Sequence, residues 1–295
     1  MVEKPVVALL GVGLMGAPMG RNLLAAGYQL HAWNRTRSKA EVLSEFGAVI
    51  HDNPAQAASQ SDIVITMVTD GNAVADLLFG QGVAEAMQPG SMVVDMSSIK
   101  PAEAKHHAAQ LAAMDIRSLD APVSGGTRGA AAATLAIMVG GEESVFDEAQ
   151  PILGAMGRPV RVGPTGSGQL SKLANQTIVG ITIGAVAEAM LMAERGGADP
   201  AAIRDALKGG FADSVILQQH GERMTVGDFK PGGLSAIQLK DLNNALEEAG
   251  NLDLSLPLAE QVRERYKRFC EELGGAEKDH SGLYLELRDR NGAEQ

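Results

Sequence analysis

The sequence predicts an α/β protein, in which a parallel sheet covered by helices on both faces is followed by a region of helices alone. From residue 5 to about residue 162, short apolar runs alternate with alanine-rich segments of helical length. Continuous apolar strands separated by helices are typical of parallel sheets buried on both faces. After Gly168, only helical patterns remain. We therefore predict two domains, residues 1–164 and residues 165–295.

The strands of the first domain are predicted at seven short apolar runs. Helices are predicted between most of them, at 18–26, 38–46, 73–78 and 101–113. In such a sheet, ligands bind beyond the carboxyl ends of the strands. The loops after the third, fourth and fifth strands should therefore face the same crevice as the turn after the first. The predicted strands are 6–10, 29–33, 63–68, 92–95, 117–121, 136–139 and 160–162.

Five helices are predicted in the second domain. The first, over 169–196, would be about 40 Å long at about 1.5 Å per residue. Because its middle is apolar nearly all round, it must be buried, either within the domain or against another subunit. Asp199 followed by Pro200 is typical of a helix start. The other helices are predicted at 200–207, 214–221, 236–249 and 257–272.

The composition excludes several classes of function. The length of 295 residues allows two domains, and the 45% of apolar and 21% of charged residues are typical of globular proteins. The net charge of −11 argues against a nucleic-acid partner, which needs clustered Lys and Arg. The single cysteine, Cys270, excludes an internal disulfide and fits a reducing compartment.

No secretion signal, membrane partner or metal site is expected from the sequence. No stretch of signal-peptide type precedes Val6. The longest apolar stretch, 178–193, contains Glu188 and is shorter than a membrane span requires. His106 and His107 are adjacent, so on a helix they point in different directions and are expected to be solvated. We therefore expect a cytoplasmic protein without a metal ion.

A glycine-rich turn after the first strand is the most informative motif. Gly11 permits the tight turn, Gly13 lets a phosphate approach the backbone, and Gly16 lets the following helix pack closely. The amides at the helix N-terminus then face the phosphate with the positive end of the helix dipole behind them. We predict a dinucleotide site of the Rossmann type, with a purely structural turn as the alternative. The predicted cofactor contacts here are Gly11, Gly13, Leu14, Met15 and Gly16.

The turn after the second strand predicts which dinucleotide is bound. Cofactors without a 2′-phosphate are usually held by an acid about 20 residues after the first glycine. Here the sequence is Asn34-Arg35-Thr36, which contains no acid. Arg35 can bind a 2′-phosphate in bidentate fashion, and Thr36 can add a hydroxyl donor. We predict NADP(H) in preference to NAD(H), with these three residues as contacts and a solvated basic turn as the alternative.

A lysine early in the long helix is the candidate acid–base group. Because a nicotinamide cofactor supplies only the hydride, the protein must orient the substrate and supply a proton. Lys172 and Asn175 are three residues apart and therefore share a helix face. Asn175 cannot titrate, so we expect it to hold the lysine or the substrate oxygen in place. A solvated surface lysine is the alternative.

Two further features could bind the substrate or the cofactor. Lys240 lies in an otherwise apolar helical stretch, from which its cation could reach the cofactor or the substrate; a surface pair with Asp241 is the alternative. Ser124 and the amides of Gly125 and Gly126 form a small anion-binding turn at a strand end. The alternative is an ordinary loop.

Four motifs, in the same order, resemble those of the β-hydroxyacid dehydrogenase family. They are the nucleotide fingerprint at 11–19, the substrate-binding segment at 120–126, the catalytic segment at 166–175 and the pair Lys240-Asp241. The resemblance extends over nearly the whole chain. It implies a Rossmann domain followed by an all-helical domain with a long connecting helix, and a homodimer or homotetramer.

The resemblance also implies residue roles. Lys172 would be the acid–base group with Asn175 beside it, and Lys240 would approach the nicotinamide. The substrate carboxylate would be bound by Ser124, Gly125 and Gly126, and further cofactor contacts would come from Val68, Thr69 and Ser98.

Three segments look most like the tartronate semialdehyde reductases of this family, namely 209–214, 220–224 and 279–281, whereas the turn at 34–36 is closer to NADPH-using glyoxylate reductases. We therefore predict an NADP(H)-dependent enzyme that interconverts a short semialdehyde acid and its 3-hydroxy acid. Tartronate semialdehyde (2-hydroxy-3-oxopropionate) is the favoured substrate, and 3-hydroxyisobutyrate, glyoxylate and succinic semialdehyde are alternatives. An imine reductase and a protein that binds NADPH without turnover also stay open.

Overall fold

The computed structural model describes residues 4–292. The chain forms two compact units, Met1–Lys172 and Leu173–Gln295. The first contains a sheet and its helices, and the described part of the second is helical. The predicted fold class, a Rossmann domain followed by an all-helical domain with a long connecting helix, is confirmed. The predicted boundary after residue 164 stays a prediction.

Within residues 4–292, the sheet of the first unit contains nine strands. The seven predicted strands are present, with ends that differ from the prediction by at most about three residues. Two strands were not predicted, and each has only two residues, too few for a recognisable pattern. The strands are β1 Val7–Leu10, β2 Leu30–Trp33, β3 Val49–Ile50, β4 Ile63–Thr66, β5 Met92–Asp95, β6 Arg117–Asp120, β7 Val123–Ser124, β8 Leu135–Gly140 and β9 Gly157–Gly163.

The strand order is β3-β2-β1-β4-β5-β6-β8-β7, and β9 pairs with β8. The strands β3 to β6 in this order are all parallel, which is the arrangement of dinucleotide-binding sheets. The predicted parallel sheet is present over these strands, but at one edge β8 runs antiparallel to β6 and β7. Only residues 125–134 separate β7 from β8, which is fewer than the dozen or so that a parallel crossover requires.

Both faces of this sheet are buried, which explains the continuous apolar runs. In β1, Val7 and Leu9 belong to one apolar core, whereas Ala8 and Leu10 belong to another. This alternation follows from the two-residue period of side chains along a strand. Because parallel strands run in the same direction, the loops after β1, β2, β4, β5 and β6 begin at one edge of the sheet, where we expect the cofactor.

The helices of the first unit differ from the prediction in detail. The helix predicted over 38–46 is interrupted between a helix at Arg37–Glu41 and a 3₁₀ turn, Ser44–Phe46. The helix predicted over 73–78 begins earlier, because the Asp70 side chain caps it, and continues as a π turn, Asp76–Gly80. Four further helices, at 54–58, 83–86, 126–131 and 143–154, were not predicted. The bounds are α1 Gly16–Ala25, α2 Arg37–Glu41, α3 Pro54–Ala58, α4 Gly71–Ala75, α5 Val83–Ala86, α6 Pro101–Ala112, α7 Gly126–Ala131 and α8 Glu143–Gly154.

The second unit contains the five predicted helices. The helix predicted over 200–207 has the predicted bounds, and the Asp199 side chain accepts a hydrogen bond from the Ala201 amide, as expected of a cap. The helix predicted over 214–221 continues to Val226 and ends at Gly227, which has φ +70°. A 3₁₀ turn, His280–Gly282, and α14 were not predicted. The bounds are α9 Ser167–Arg195, which begins in the first unit, α10 Pro200–Leu207, α11 Val215–Val226, α12 Ser235–Asn251, α13 Pro257–Glu271 and α14 Leu283–Arg290.

Two sequence expectations need correction. The apolar stretch considered in the sequence, 178–193, is too short for a span. By length and composition, however, helix α9 is long and apolar enough to cross a membrane. This is weak evidence for a span, because half of its most apolar window is buried in the protein, as in a core helix. His107 is not solvated: its side chain is 7% exposed and its ring lies 5.9 Å from that of Phe79. It faces the sheet from α6, whereas the adjacent His106 is exposed.

Candidate active site

The glycine turn connects β1 to α1. A Cβ atom at Gly11, which has φ +109°, would lie 2.2 Å from the Met67 carbonyl oxygen, and one at Gly16 would lie 2.0 Å from the Gly11 carbonyl oxygen. Both positions therefore require glycine. A Cβ atom at Gly13 would have no atom within 4 Å, so the backbone there faces open space. A turn that is closely packed at both ends and open at its middle glycine fits a pyrophosphate against the N-terminus of α1.

Four other predicted cofactor contacts lie at the same edge of the sheet. Leu14 is 77% exposed, whereas Met15 is half-buried against the core. After β4, the Val68 amide donates a hydrogen bond of 3.0 Å to Ser97 Oγ, and Thr69 is exposed. The loops after β4 and β5 are thus joined where the cofactor is predicted.

The turn after β2 is joined to the glycine turn by Asn34. Its Oδ1 accepts a hydrogen bond of 3.0 Å from the Val12 amide, and its Nδ2 donates to the Thr36 carbonyl at 3.0 Å. Thr36 precedes α2, but its hydroxyl makes no capping hydrogen bond. Asn34 therefore holds the two turns together, while the Thr36 hydroxyl is not engaged by the helix.

Arg35, in this turn, and Arg37, the first residue of α2, differ in their surroundings. Arg37 is paired with Glu41 at 3.0 Å and with Asp52. Arg35 is exposed and makes no hydrogen bond or ion pair to any other residue of 4–292. The guanidinium available to a phosphate at this turn is therefore that of Arg35, the residue predicted from the sequence.

Lys172 lies beside the predicted substrate-binding segment, within the first unit. Its Nζ donates a hydrogen bond of 2.9 Å to the carbonyl oxygen of Val123, which directly precedes Ser124. Lys172 and Ser124 are both half-buried. Gly125 and Gly126 are exposed and have φ +133° and +59°, a conformation that glycine adopts readily. An ammonium group thus stands next to a turn whose backbone is open to a ligand.

The first turn of α9 is held by a buried carboxylate that sequence reasoning missed. Asp120, at the end of β6, accepts hydrogen bonds from the amides of Gly166 at 2.7 Å and Gln169 at 2.9 Å. Burial raises the pKa of Asp120, although these amides and that of Gly168 oppose the shift. A Cβ atom at Gly168 would lie 2.4 Å from the Asp120 carbonyl oxygen. The glycines before the lysine therefore let the helix start against β6.

The loop after β5 contacts the same turn of α9. Gln169, which was also missed, donates from Nε2 to the Ser97 carbonyl at 2.9 Å and accepts at Oε1 from the Ile99 amide at 3.1 Å. Ser98, the predicted cofactor contact, is half-buried between these two buried residues. The loop that carries Ser98 is thereby attached to the helix that carries Lys172.

The other predicted site residues belong to the second unit. Asn175 Nδ2 donates to Gln176 Oε1 at 2.8 Å, and Gln176 Nε2 donates to Asp241 Oδ2 at 2.7 Å. Lys240 Nζ lies 3.3 Å from Asp241 Oδ1. Asp241 is buried, so the two residues do not form an ordinary surface pair. A hydrogen-bonded chain through Gln176 and Asp241 therefore links the predicted residues Asn175 and Lys240.

A second cluster, in the second unit, was not expected. His220, Asp279 and His280 each place one potential metal-ligand atom within 4.8 Å of the others. The Asp279 oxygens, however, already accept four hydrogen bonds, two from Ser281 and two from the amides of residues 232–233. An ionised carboxylate has about four acceptor positions in all. The cluster therefore fits a link between segments better than a metal site.

Comparison with known proteins covers almost the entire chain. A family model described as the NAD binding domain of 6-phosphogluconate dehydrogenase matches residues 6–166. A second, described as “NAD-binding of NADP-dependent 3-hydroxyisobutyrate dehydrogenase”, matches residues 166–287.

Individual relatives match over similar lengths. A 2-hydroxy-3-oxopropionate reductase of Escherichia coli (strain K12) is 45% identical over 283 residues, which are 95% of this chain and 96% of that protein. A 3-hydroxyisobutyrate dehydrogenase of Mycobacterium tuberculosis, solved with L-serine, is 31% identical with a TM-score of 0.88, covering 97% of this chain and 100% of that one. A 3-hydroxyisobutyrate dehydrogenase from Salmonella typhimurium is 30% identical with a TM-score of 0.87, covering 96% and 99%.

Proposed function

Because this chain belongs to the β-hydroxyacid dehydrogenase family and is an NAD(P)-dependent oxidoreductase of hydroxy acids, we propose that it interconverts a short semialdehyde acid and its 3-hydroxy acid. The favoured substrate is tartronate semialdehyde, and the favoured cofactor is NADP(H). Substrates of the 3-hydroxyisobutyrate, glyoxylate or succinic semialdehyde type are the alternatives.

The hydrogen bond from Lys172 to the Val123 carbonyl is the observation that carries the proposal. It holds an ammonium group beside Ser124, Gly125 and Gly126, where a substrate carboxylate would find a hydroxyl and backbone donors. When bound, the reduced nicotinamide supplies a hydride. Lys172 then donates a proton to the alkoxide oxygen that forms, and in the opposite direction it accepts the hydroxyl proton. Asn175, one turn further along α9, orients the substrate oxygen or the lysine.

The preference for NADP(H) is supported by the turn after β2. A 2′-phosphate carries negative charge, and the unpaired Arg35 guanidinium can bind it through two parallel hydrogen bonds. The Thr36 hydroxyl can add a donor. Nothing acidic stands at the position where NAD(H)-specific sites usually hold the ribose.

The choice of substrate is supported by the relatives. The E. coli relative is named for 2-hydroxy-3-oxopropionate, and the M. tuberculosis structure contains L-serine, itself a three-carbon acid with a 3-hydroxyl group. One methyl or hydroxyl group in a pocket changes selectivity by only about 1–3 kcal/mol, so related acids are expected as poorer substrates. Parallel assays of C2 to C4 aldehyde acids and a cyclic imine with both cofactors will rank them.

The lysine provides the direct test. Lys172→Ala should fold and bind NADPH but lose at least about 100-fold in kcat, because general acid–base catalysis typically contributes about 10²–10⁴-fold. Lys267→Ala, which removes an exposed lysine of α13, is the matched control and should keep its activity. A Lys172→Ala enzyme within about tenfold of the normal kcat, or about 1.4 kcal/mol in barrier, removes Lys172 from the proposed role.

The proposal includes a domain boundary after residue 164, a cytoplasmic location and a homodimer or homotetramer. Size-exclusion chromatography with light scattering measures the oligomeric state directly. If NADPH binds but no member of the panel is turned over, the chain is a cofactor-binding protein and the enzymatic proposal is wrong.

A further inference from the structure

The side-chain amide of Gln169 forms hydrogen bonds through both its nitrogen and its oxygen. Gln169 lies in the first turn of α9, and its side chain is 0% exposed. The side-chain amide donates to the Ser97 carbonyl and accepts from the Ile99 amide, at 2.9 and 3.1 Å. These two backbone groups flank Ser98. The side chain therefore binds the backbone on both sides of Ser98, in the loop after β5.

We propose that Gln169 is a positioning residue, which fixes the position of the loop carrying Ser98 relative to Lys172. This proposal rests on the proposed function. Lys172 follows Gln169 by three residues, a rise of about 4.5 Å along the helix. A rigid link at Gln169 thus orients the loop predicted to contact the cofactor with respect to the ammonium group predicted to move the proton. Reaction rates are sensitive to such placement, since a displacement of about 1 Å can cost about 100-fold.

The surrounding hydrogen bonds show that both sides of the link are held. On the helix side, Asp120 accepts from the Gln169 amide itself. On the loop side, Ser97 accepts at Oγ from the Val68 amide, and the Ser97 amide donates to Asp95 Oδ1 at 3.0 Å. Gln169 is thus the connection between two parts that are each anchored to the sheet.

The chemistry of the side chain explains why an amide is used here. A glutamine amide presents a donor and an acceptor on one planar group, which the Ser97 carbonyl and the Ile99 amide both need. A carboxylate offers only acceptors, and an apolar side chain offers neither. A buried backbone group left without a partner is destabilising, so the loop is expected to move rather than leave both groups unsatisfied.

The test compares Gln169→Glu with Gln169→Met, which keeps the length of the side chain without either hydrogen bond. Well above the pKa of the introduced carboxyl, Gln169→Glu should lose at least about tenfold in kcat and bind NADPH several-fold more weakly. As the pH falls, the protonated carboxyl regains a donor for Ser97, so the ratio of its kcat to that of the unmodified enzyme should rise. Gln169→Met should show the loss without the recovery.

Hydrogen exchange gives a readout that needs no turnover. The Ile99 amide should exchange faster in Gln169→Met, while amides in β5 keep their protection. Tyr266→Phe is the matched control, because it removes one hydrogen bond of a buried side chain, from the hydroxyl to the His280 carbonyl, in the second unit. It should lower stability without changing kcat or the Ile99 amide.

The outcomes separate the inference from the proposed function. Unchanged kcat and NADPH affinity per folded molecule in both variants, with lower stability alone, would mean that Gln169 is merely structural. Unchanged exchange at Ile99 would equally overturn the inference. If the unmodified protein turns over no aldehyde acid, the proposed function fails, and NADPH affinity and exchange alone then decide the role of Gln169.

Discussion

Substituting Asp95 by asparagine isolates the effect of one buried charge on stability. Asp95 ends β5 and is 7% exposed. Its Oδ1 accepts from Thr66 Oγ1 at 2.7 Å and from the Ser97 amide at 3.0 Å, whereas its Oδ2 has no partner among residues 4–292. The side chain borders a cavity of about 20 Å³ that His107 also lines. Burial raises the pKa of Asp95 from 3.8 to about 6, against the opposing effect of these hydrogen bonds.

The sign and size of the effect follow from this pKa. Between about pH 4 and pH 6, the native state keeps a proton on Asp95 that the unfolded chain has lost. The native state is therefore destabilised as the pH rises through this window. The difference between pKa values of 3.8 and about 6 lowers the free energy of unfolding by about 3 kcal/mol once the pH is above this range.

Asp95→Asn keeps the acceptor for Thr66 and the Ser97 amide but cannot ionise. Its free energy of unfolding, relative to the unmodified protein, should therefore rise by about 2–3 kcal/mol between about pH 4 and pH 7. The change across this range is diagnostic, because an unsatisfied amide adds a cost that does not depend on pH. Urea unfolding followed by fluorescence of Trp33, the single tryptophan of the chain and buried in the same unit, reports on this transition.

The exposed Asp62, replaced by asparagine in the same unit, is the matched control for the loss of one negative charge. If the difference between Asp95→Asn and the unmodified protein is the same at every pH, or falls as the pH rises, the argument from burial is refuted.

Two further substitutions test the cofactor site. Arg35→Asp should lower the ratio of kcat/KM with NADPH to kcat/KM with NADH by at least about tenfold, because the introduced carboxylate repels a 2′-phosphate; an unchanged ratio in steady-state assays would contradict the role of Arg35. Gly13→Ala should unfold at nearly the same temperature, since its Cβ meets open space, yet bind NADPH at least about tenfold more weakly in a fluorescence titration. Normal affinity there would mean that no phosphate approaches Gly13.

Some residues of the candidate site could be predicted from the sequence, and others could not. The glycine turn and the turn at Asn34 were predicted, because their residue types are dictated by local backbone and charge requirements. Lys172 was singled out from its place in the helix and from the family resemblance. Gln169 and Asp120 were missed, because Gln169 and its loop are 70 and 72 residues apart, and Asp120 lies 46 to 49 residues before the amides it binds. No periodic pattern in the sequence indicates a hydrogen bond between residues so far apart.

The fold divides in the same way. The sequence by itself determined the central strands and the capped helix α10, because burial on both faces and a local cap each leave a pattern within a few neighbouring residues. Only the tertiary structure decided the antiparallel edge at β8, the burial of His107 on one face of α6, and the buried amide and carboxylates around the start of α9. These depend on which distant segments meet, and a buried polar side chain is specified by its partner in space rather than by its neighbours in the chain.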